Sequence, residues 1–492
     1  MSKQSRRIQW IWYGAIFILM FLWFSQVHTL AVYSADDWGH ISYARSAVPE
    51  LSKWNPAKLL PELLMSFMST TAAFTIFPVT GNYIMSITVM SALTVSAFIT
   101  GYIYCFGTFL KRITGVSGIK NLFVQGLFFI LHFLIFRWGD DGNSYLFQCA
   151  DLTCYYNYLI PGLLNASLVL WMFGNETFKS FVKEGDNIKR GLLLVVIYFA
   201  VFSNLVDSMI LVGYIALDFF VDLFQTVKQR EKMSNFIGGR WFHLGVIFLW
   251  GISALFELFG GRAALAEEQG GSLLVSLQEA LTYFMDLLGR IHKIFLLLFV
   301  ILLAGGIAIL IKEGKKSAEK RKQMGFLLAL TGGMFLFTVA ISAKVNASYI
   351  SRSEYVFGLF FYVLLIEMMC FGMILKKFEQ ITLVVPLLLC ITASFINTNG
   401  NTFGISGQPE VSDKIFIDIS QDLVDQVVEA DRMGKDSVHV QVTDSGGINN
   451  WPQAVYMGEY VSNALYKHGV IKHKIEVKII PSKEYNEKYR IY

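Results

Sequence analysis

Charge is what this sequence has little of. Only 16% of its 492 residues are Asp, Glu, Lys or Arg, against roughly a quarter in soluble domains. Beside an apolar content of 54%, that shortage argues against a string of ordinary soluble domains. Cysteine is scarce too, and five in the whole chain are too few for a disulfide scaffold. Cys105, Cys370 and Cys390 sit inside apolar runs and read as small buried residues. No P-loop, HExxH or CxxC pattern occurs, so neither ATP nor a resident metal is an obvious part of the chemistry. No cofactor is expected, with a divalent cation left open. The basic residues stand in short clusters between apolar runs rather than on one face, which points to a membrane and away from nucleic acid.

What is there is apolar helix. A bilayer core takes about 20 apolar residues of it. Candidate spans lie near 8–31, 83–110, 119–137, 156–174, 191–206, 208–225, 241–259, 294–311, 325–343, 355–375 and 380–396. The fold class is therefore a polytopic α-helical membrane protein with about eleven spans. The first run, Ile8 to about Val32 behind Lys3, Arg6 and Arg7, is too long for a signal-peptide core and reads as an uncleaved span. Every even-numbered span is followed by a basic loop: Lys111–Arg112, Lys179 to Arg190, Lys228 to Lys232, Lys312 to Lys322, and Lys376–Lys377. Such loops stay in the cytoplasm. The N-terminus is then cytoplasmic, and an odd number of spans in the plasma membrane places the C-terminus outside. The alternate loops carry Asp36, Asp37, Asp140, Asp141, Glu267 and Glu268 instead. Two amphipathic stretches, 59–78 and 272–293, read as helices lying in the outer interface. The chain thus divides into a transmembrane domain, 1–398, and a small outer α/β domain, 410–492. In the latter, helical IFIDISQDLVDQVVEADRMGK and QAVYMGEYVSNALYKHG alternate with strand-like DSVHVQVTD and KIEVKIIPS.

Polar groups concentrate on the outer side. Asp36 and Asp37 follow the first span directly, in SADDWGHISYA. Carboxylates at an apolar boundary lose hydration, which raises their pKa and suits a general base; the alternative is a pair of solvated loop acids. Arg352, Arg262 and Lys344 lie in later outer loops. They can snorkel to lipid headgroups or clamp a lipid-linked phosphate. Trp38, His40, Tyr155, Tyr156 and Trp451 are candidates for contact with a sugar, although aromatics at a membrane surface are usually belt residues. Cys149 and Cys154, five residues apart in an outer loop, are a candidate disulfide.

The order of these parts resembles the GT-C superfamily of membrane glycosyltransferases: basic N-terminus, one span, the acidic motif ADDW at Ala35–Trp38, then the helix-forming WNPAKLLPELLM. It is most similar to bacterial members such as the GtrII-like glucosyltransferases. The resemblance implies that Asp36 or Asp37 takes a proton from an acceptor hydroxyl. Arg352, with Arg262 or Lys344, would stabilise the phosphate of a polyprenyl-phosphate-linked sugar as it leaves. The acceptor would be a glycan of the cell envelope. No WWD-type motif of the oligosaccharyltransferases is present, so a peptide acceptor is not implied. A transporter or flippase of lipid-linked glycans, or a glycan polymerase or ligase, is the alternative.

Overall fold

The computed structural model describes residues 3–49, 54–138, 142–144, 146–175, 186–230, 236–237, 239–259, 272–396 and 413–491. It is mostly helical. The bundle consists of α1 (Lys3–Leu22), α2 (Ala35–His40), α3 (Leu59–Thr75), α4 (Tyr83–Thr114), α5 (Ile119–Leu134), α6 (Ile160–Met172) and α7 (Asn187–Val201). It continues with α8 (Leu205–Gln229), α9 (Trp241–Leu258), α10 (Leu273–Gly289), α11 (Lys293–Glu313), α12 (Ala318–Val345), α13 (Phe357–Lys377) and α14 (Val385–Ser394). Six helical stretches among the described residues are long and apolar enough to cross a membrane: Arg6–Val27, Leu59–Thr80, Tyr83–Thr114, Leu205–Gln229, Lys293–Val345 and Phe357–Lys377. The remaining segments read as spans are also helical, but shorter. This is the character of a multi-pass membrane protein.

The centre of the bundle is α13. Phe357, Phe361, Leu364, Leu365, Met368 and Met369 are all buried, as befits a helix that is apolar all round. Glycine lets its neighbour come close: a Cβ on Gly306 of α11 would overlap Cys370, so the two backbones approach as small residues allow in membrane helices.

The bundle has two unlike ends. At the basic end, Lys120 pairs with Glu379 (2.8 Å), and Glu313 lies between Lys320 (3.4 Å) and Lys377 (3.6 Å). The other end is capped by the C-terminal domain. There α15 (Asp413–Arg432) and α16 (Gly458–Lys467) pack on β3 (Ser437–Thr443) and β4 (Glu476–Ser482), followed by α17 (Lys483–Tyr489). The strands pair in parallel, with Val440 opposite Ile479. Parallel pairing requires a crossover, and α16 lies within it. A separate short hairpin, β1 (Phe136–Trp138) with β2 (Gly142–Ser144), closes the end of α5.

The domain is tied to the bundle at several points. His468 accepts or donates between Tyr83 Oη (2.6 Å) and Thr70 Oγ1 (3.2 Å). The Ile84 N–H donates to Gln421 (3.1 Å), the Ala35 N–H donates to the Pro452 carbonyl (2.9 Å), and the Tyr33 ring lies 4.3 Å from that of Phe416.

Two details bear on the sequence reading. The first apolar run is helical only to Val27. His28–Tyr33 then runs buried and non-helical, because the Tyr33 and Ser34 N–H groups are claimed by Asp37 rather than by a helical turn. The stretch at 59–78 is long and apolar enough to span, since Pro61 falls in the first turn of α3, where no helical N–H is required. Yet both its ends stay at the capped end. The Leu60 N–H donates to the Phe202 carbonyl (3.2 Å), in the turn between α7 and α8, while Thr70 meets His468. It lies across the bundle end, as an interfacial helix would.

Candidate active site

The site begins with a capping box. Ser34 is the N-cap of α2: its hydroxyl accepts from the Asp37 N–H (3.2 Å), and Asp37 Oδ2 accepts from the N–H of Ser34 (2.9 Å). The Tyr33 N–H adds a third bond (3.0 Å) to the same oxygen. The other oxygen, Oδ1, accepts from Thr153 twice, from its N–H (2.8 Å) and its hydroxyl (2.7 Å). Asp37 is fully buried. Burial pushes its carboxyl up, and the bonds from Thr153, Tyr33 and Ser34 pull it back. Its neighbour Asp36 points the other way, into solvent.

Thr153 belongs to a short helical turn, Leu152–Cys154, that passes into a π-helical turn, Tyr155–Leu159. Asp151 caps it, accepting from the Cys154 N–H (2.7 Å). Burial, and then the nearby Asp37 charge, raise the Asp151 carboxyl well above its ordinary range. Like charges in a dry site cannot both be held without cost. Asp37 accepts four hydrogen bonds against one from the Cys154 N–H to Asp151, so Asp37 is the better placed of the two to hold a charge.

One residue further, Cys154 Sγ accepts from Arg352 Nη2 (3.4 Å). Arg352 also donates through Nε to Glu354 Oε1 (2.7 Å) and lies over the rings of Tyr158 (5.7 Å) and Tyr349 (5.4 Å). Burial opposes the guanidinium charge, but Glu354, Cys154 and Tyr158 outweigh it. Tyr158 and Tyr349 in turn line a small open pocket together with Lys58, Glu257, Lys344 and Tyr355. Chemically this is an aromatic-walled hollow with two ammonium groups and the Glu257 carboxylate at its wall and a guanidinium stacked behind it. Such a lining suits an anion carried on an apolar body.

The segment 151–158 is thus the link. It joins the acidic turn (Asp37 through Thr153) to the arginine (through Cys154) and to the cavity (through Tyr158). A second link runs through His40. Burial lowers its pKa, and it feels the charges of Glu62, Asp36 and Lys58. Of the residues singled out in sequence, Asp37, Arg352 and Lys344 are thus linked through 151–158, and Asp36 and His40 lie beside Asp37 on α2. Arg262 lies outside the described residues, as do Asp140, Asp141, Glu267 and Glu268.

Other candidates prove to be core. Trp38 is fully buried and stacks on Tyr83 (6.3 Å). Tyr155 is buried edge-on against Phe24 (5.5 Å), and the hydroxyl of buried Tyr156 donates to Ser91 (3.3 Å). Trp451 is half-buried, in the loop whose Pro452 carbonyl meets α2. The expected bridge between Cys149 and Cys154 is not formed; both thiols are free. Burial raises both thiols, and Cys154 is engaged with Arg352 instead. Among the described residues no cluster of His, Cys, Asp and Glu is arranged to hold a metal.

Sequence reasoning missed Lys58, the role of Asp151, and the part played by Tyr349 and Tyr355. Lys58 had no distinct signal, since it shares its loop with Arg45 and Lys53. Asp37 had one, because Ser34-Ala-Asp-Asp37 is a capping-box pattern. No family model, curated protein or solved structure matches the chain.

Proposed function

We propose that this chain is a membrane glycosyltransferase. It moves a sugar from a polyprenyl-phosphate donor to a cell-envelope glycan on the outer face of the membrane. The observation that carries this reading is the link, through residues 151–158, from an acidic turn to Arg352 and to a lysine-lined pocket walled by tyrosines. One half of that arrangement suits a proton acceptor and the other a leaving phosphate.

In this reading the fold is GT-C-like with about eleven spans. The basic end faces the cytoplasm, by the positive-inside rule, and the capped end faces out. Asp36 is the base: it is the exposed acid of the pair, whereas every lone pair of Asp37 directed at the protein is already used. Asp36 takes the proton of an acceptor hydroxyl as that oxygen attacks the anomeric carbon. The bond from that carbon to the phosphate oxygen breaks, with inversion, and the electron pair leaves on the phosphate. Lys344, Lys58 and Arg352 stabilise the charge that develops there. Asp37 is a positioning residue, which fixes the turn that aims Asp36.

The test is transfer from a synthetic polyprenyl-phosphate sugar to envelope glycan by the purified protein in lipid. Transfer that depends on Asp36 and Arg352 supports the proposal. Movement of the intact lipid-linked sugar across the bilayer without transfer replaces it with the flippase reading. A reporter fused after Tyr492 checks the orientation, with activity expected only outside.

A further inference from the structure

The face of α2 that carries Asp36 has a partner on the C-terminal domain. Residues 36, 39 and 40 share one face of this helical turn. Asp37, Trp38 and Ile41 take the other and are buried. Over the open face stand two tyrosines, Tyr456 and Tyr460, which remain 50% and 40% exposed. Their rings meet edge to face, with centroids 6.3 Å apart. The Tyr460 ring comes so near Gly39 that an added Cβ would touch it at 3.7 Å. Tyr456 lies within the field of the Asp36 carboxylate.

The domain holds these rings in register with α2 by gripping both ends of the helix. Before it, the Ala35 N–H donates to the Pro452 carbonyl (2.9 Å). After it, Lys467 Nζ donates to the Ser42 carbonyl (2.8 Å). The segment that carries the rings is therefore held against α2 before anything binds, which lowers the cost of binding.

We infer that Tyr456 and Tyr460, with Asp36, form a binding platform for a neutral, hydroxyl-rich oligosaccharide, the acceptor of the proposed reaction. The chemistry selects that occupant. The C–H faces of a sugar ring stack on an aromatic face, while hydroxyls donate to a carboxylate. An anionic ligand is disfavoured by the Asp36 carboxylate, whose field reaches Tyr456. Half-exposed tyrosines held at right angles beside a solvent-facing acid offer both kinds of contact at once. The assignment of the bound sugar as acceptor rests on the transferase reading; its binding does not.

The experiment measures binding without turnover. The full chain in lipid nanodiscs is titrated with maltohexaose, mannohexaose and chitohexaose, and saturation transfer to the sugar is observed by NMR. At least one hexasaccharide is expected to bind. Tyr456→Ala and Tyr460→Ala should each weaken it about 3- to 10-fold, the scale of one aromatic contact. Tyr460→Phe should bind nearly as the native protein does, because the ring face is kept. Binding that survives in the Tyr456→Ala/Tyr460→Ala double variant overturns the platform, as does absence of binding by all three sugars to the native protein. A loss equal in Tyr460→Phe and Tyr460→Ala also overturns it, since the hydroxyl alone would then matter. Failure of sugar transfer by the native protein, with hexasaccharide binding intact, refutes the transferase and leaves the platform standing.

Discussion

The two ends of the bundle hold charge in opposite ways. At the basic end ion pairs are open to solvent in part or in full: Glu379 is 80% accessible in its pair with Lys120, and Glu313 is half-buried between Lys320 and Lys377. Pairs of this kind contribute about 0–1 kcal/mol. At the capped end Asp37, Glu62, Glu354 and Asp151 are buried, each held by named donors or by a cation. Removing such groups from water costs several kcal/mol each, and apolar residues would stabilise the same positions better. The basic end has the charge that orientation in a membrane requires. The capped end has charge that stability alone would not select, and that is where a chemical role is to be sought.

The contrast can be broken by substitution. The largest effect is expected from Asp36→Asn, which should lower transfer by about 10²–10⁴-fold, as for loss of a positioned base, while leaving expression and membrane insertion unchanged. Near-native turnover in that variant removes Asp36 from the mechanism. Arg352→Ala should slow transfer by roughly 10²–10³-fold. It should also lower the unfolding temperature, because Glu354 is left buried without its cation. Replacing Glu354 with Gln in the same protein should restore the temperature and not the rate. Asp37→Ala removes the acceptor of bonds from Tyr33, Ser34 and Thr153. A loss of about 3–5 kcal/mol is expected, seen as proteolysis near α2. At the basic end, Lys120→Ala should change stability by less than about 1 kcal/mol and leave transfer alone. An equal response at the two ends would erase the distinction.

Acid sharpens the comparison in a different way. Burial lowers His468 to about 4, where it sits between Tyr83 and Thr70. A depressed histidine is neutral when folded and takes up its proton more readily when unfolded. Its contribution is present above about pH 6.5 and is lost as pH falls from there toward 4, by up to about 3 kcal/mol. Amide protection in residues 413–491, taken relative to the slower intrinsic exchange at lower pH, should therefore fall between pH 7 and 5 before the bundle itself responds. Unchanged protection over that range removes His468 from the docking interface.

Much of the helical pattern was legible in sequence, because apolar length alone specifies a helix in a membrane. The four alternating elements of the C-terminal domain were legible for a related reason: helix and strand impose different periods on burial. The site was legible only in part. Asp36 and Asp37 are neighbours of one residue type, and local pattern treats them alike. What separates them is Thr153, more than a hundred residues away, which claims one of them through the hydroxyl and the N–H. The aromatic candidates failed for the same reason. Trp38 and Tyr155 look like belt or sugar residues in a loop, and become core only when Tyr83 and Phe24 pack against them. Cys149 and Cys154 have a spacing that permits a bridge, but Arg352 lies against one of the two thiols.

The sequence by itself determined a mostly helical chain with long apolar helices, basic clusters between alternate apolar runs, and a small α/β domain after them. Each follows from a local quantity: hydropathy over a window, charge between windows, or the period of burial. Tertiary structure decided which acid is exposed, which tyrosines remain in water, and that Arg352, Cys154 and Tyr158 stand together. Those outcomes depend on contacts between residues far apart in the chain. A hydrogen bond or a stacked ring is set by ångström-scale placement, and that placement exists only once the helices and the C-terminal domain have docked.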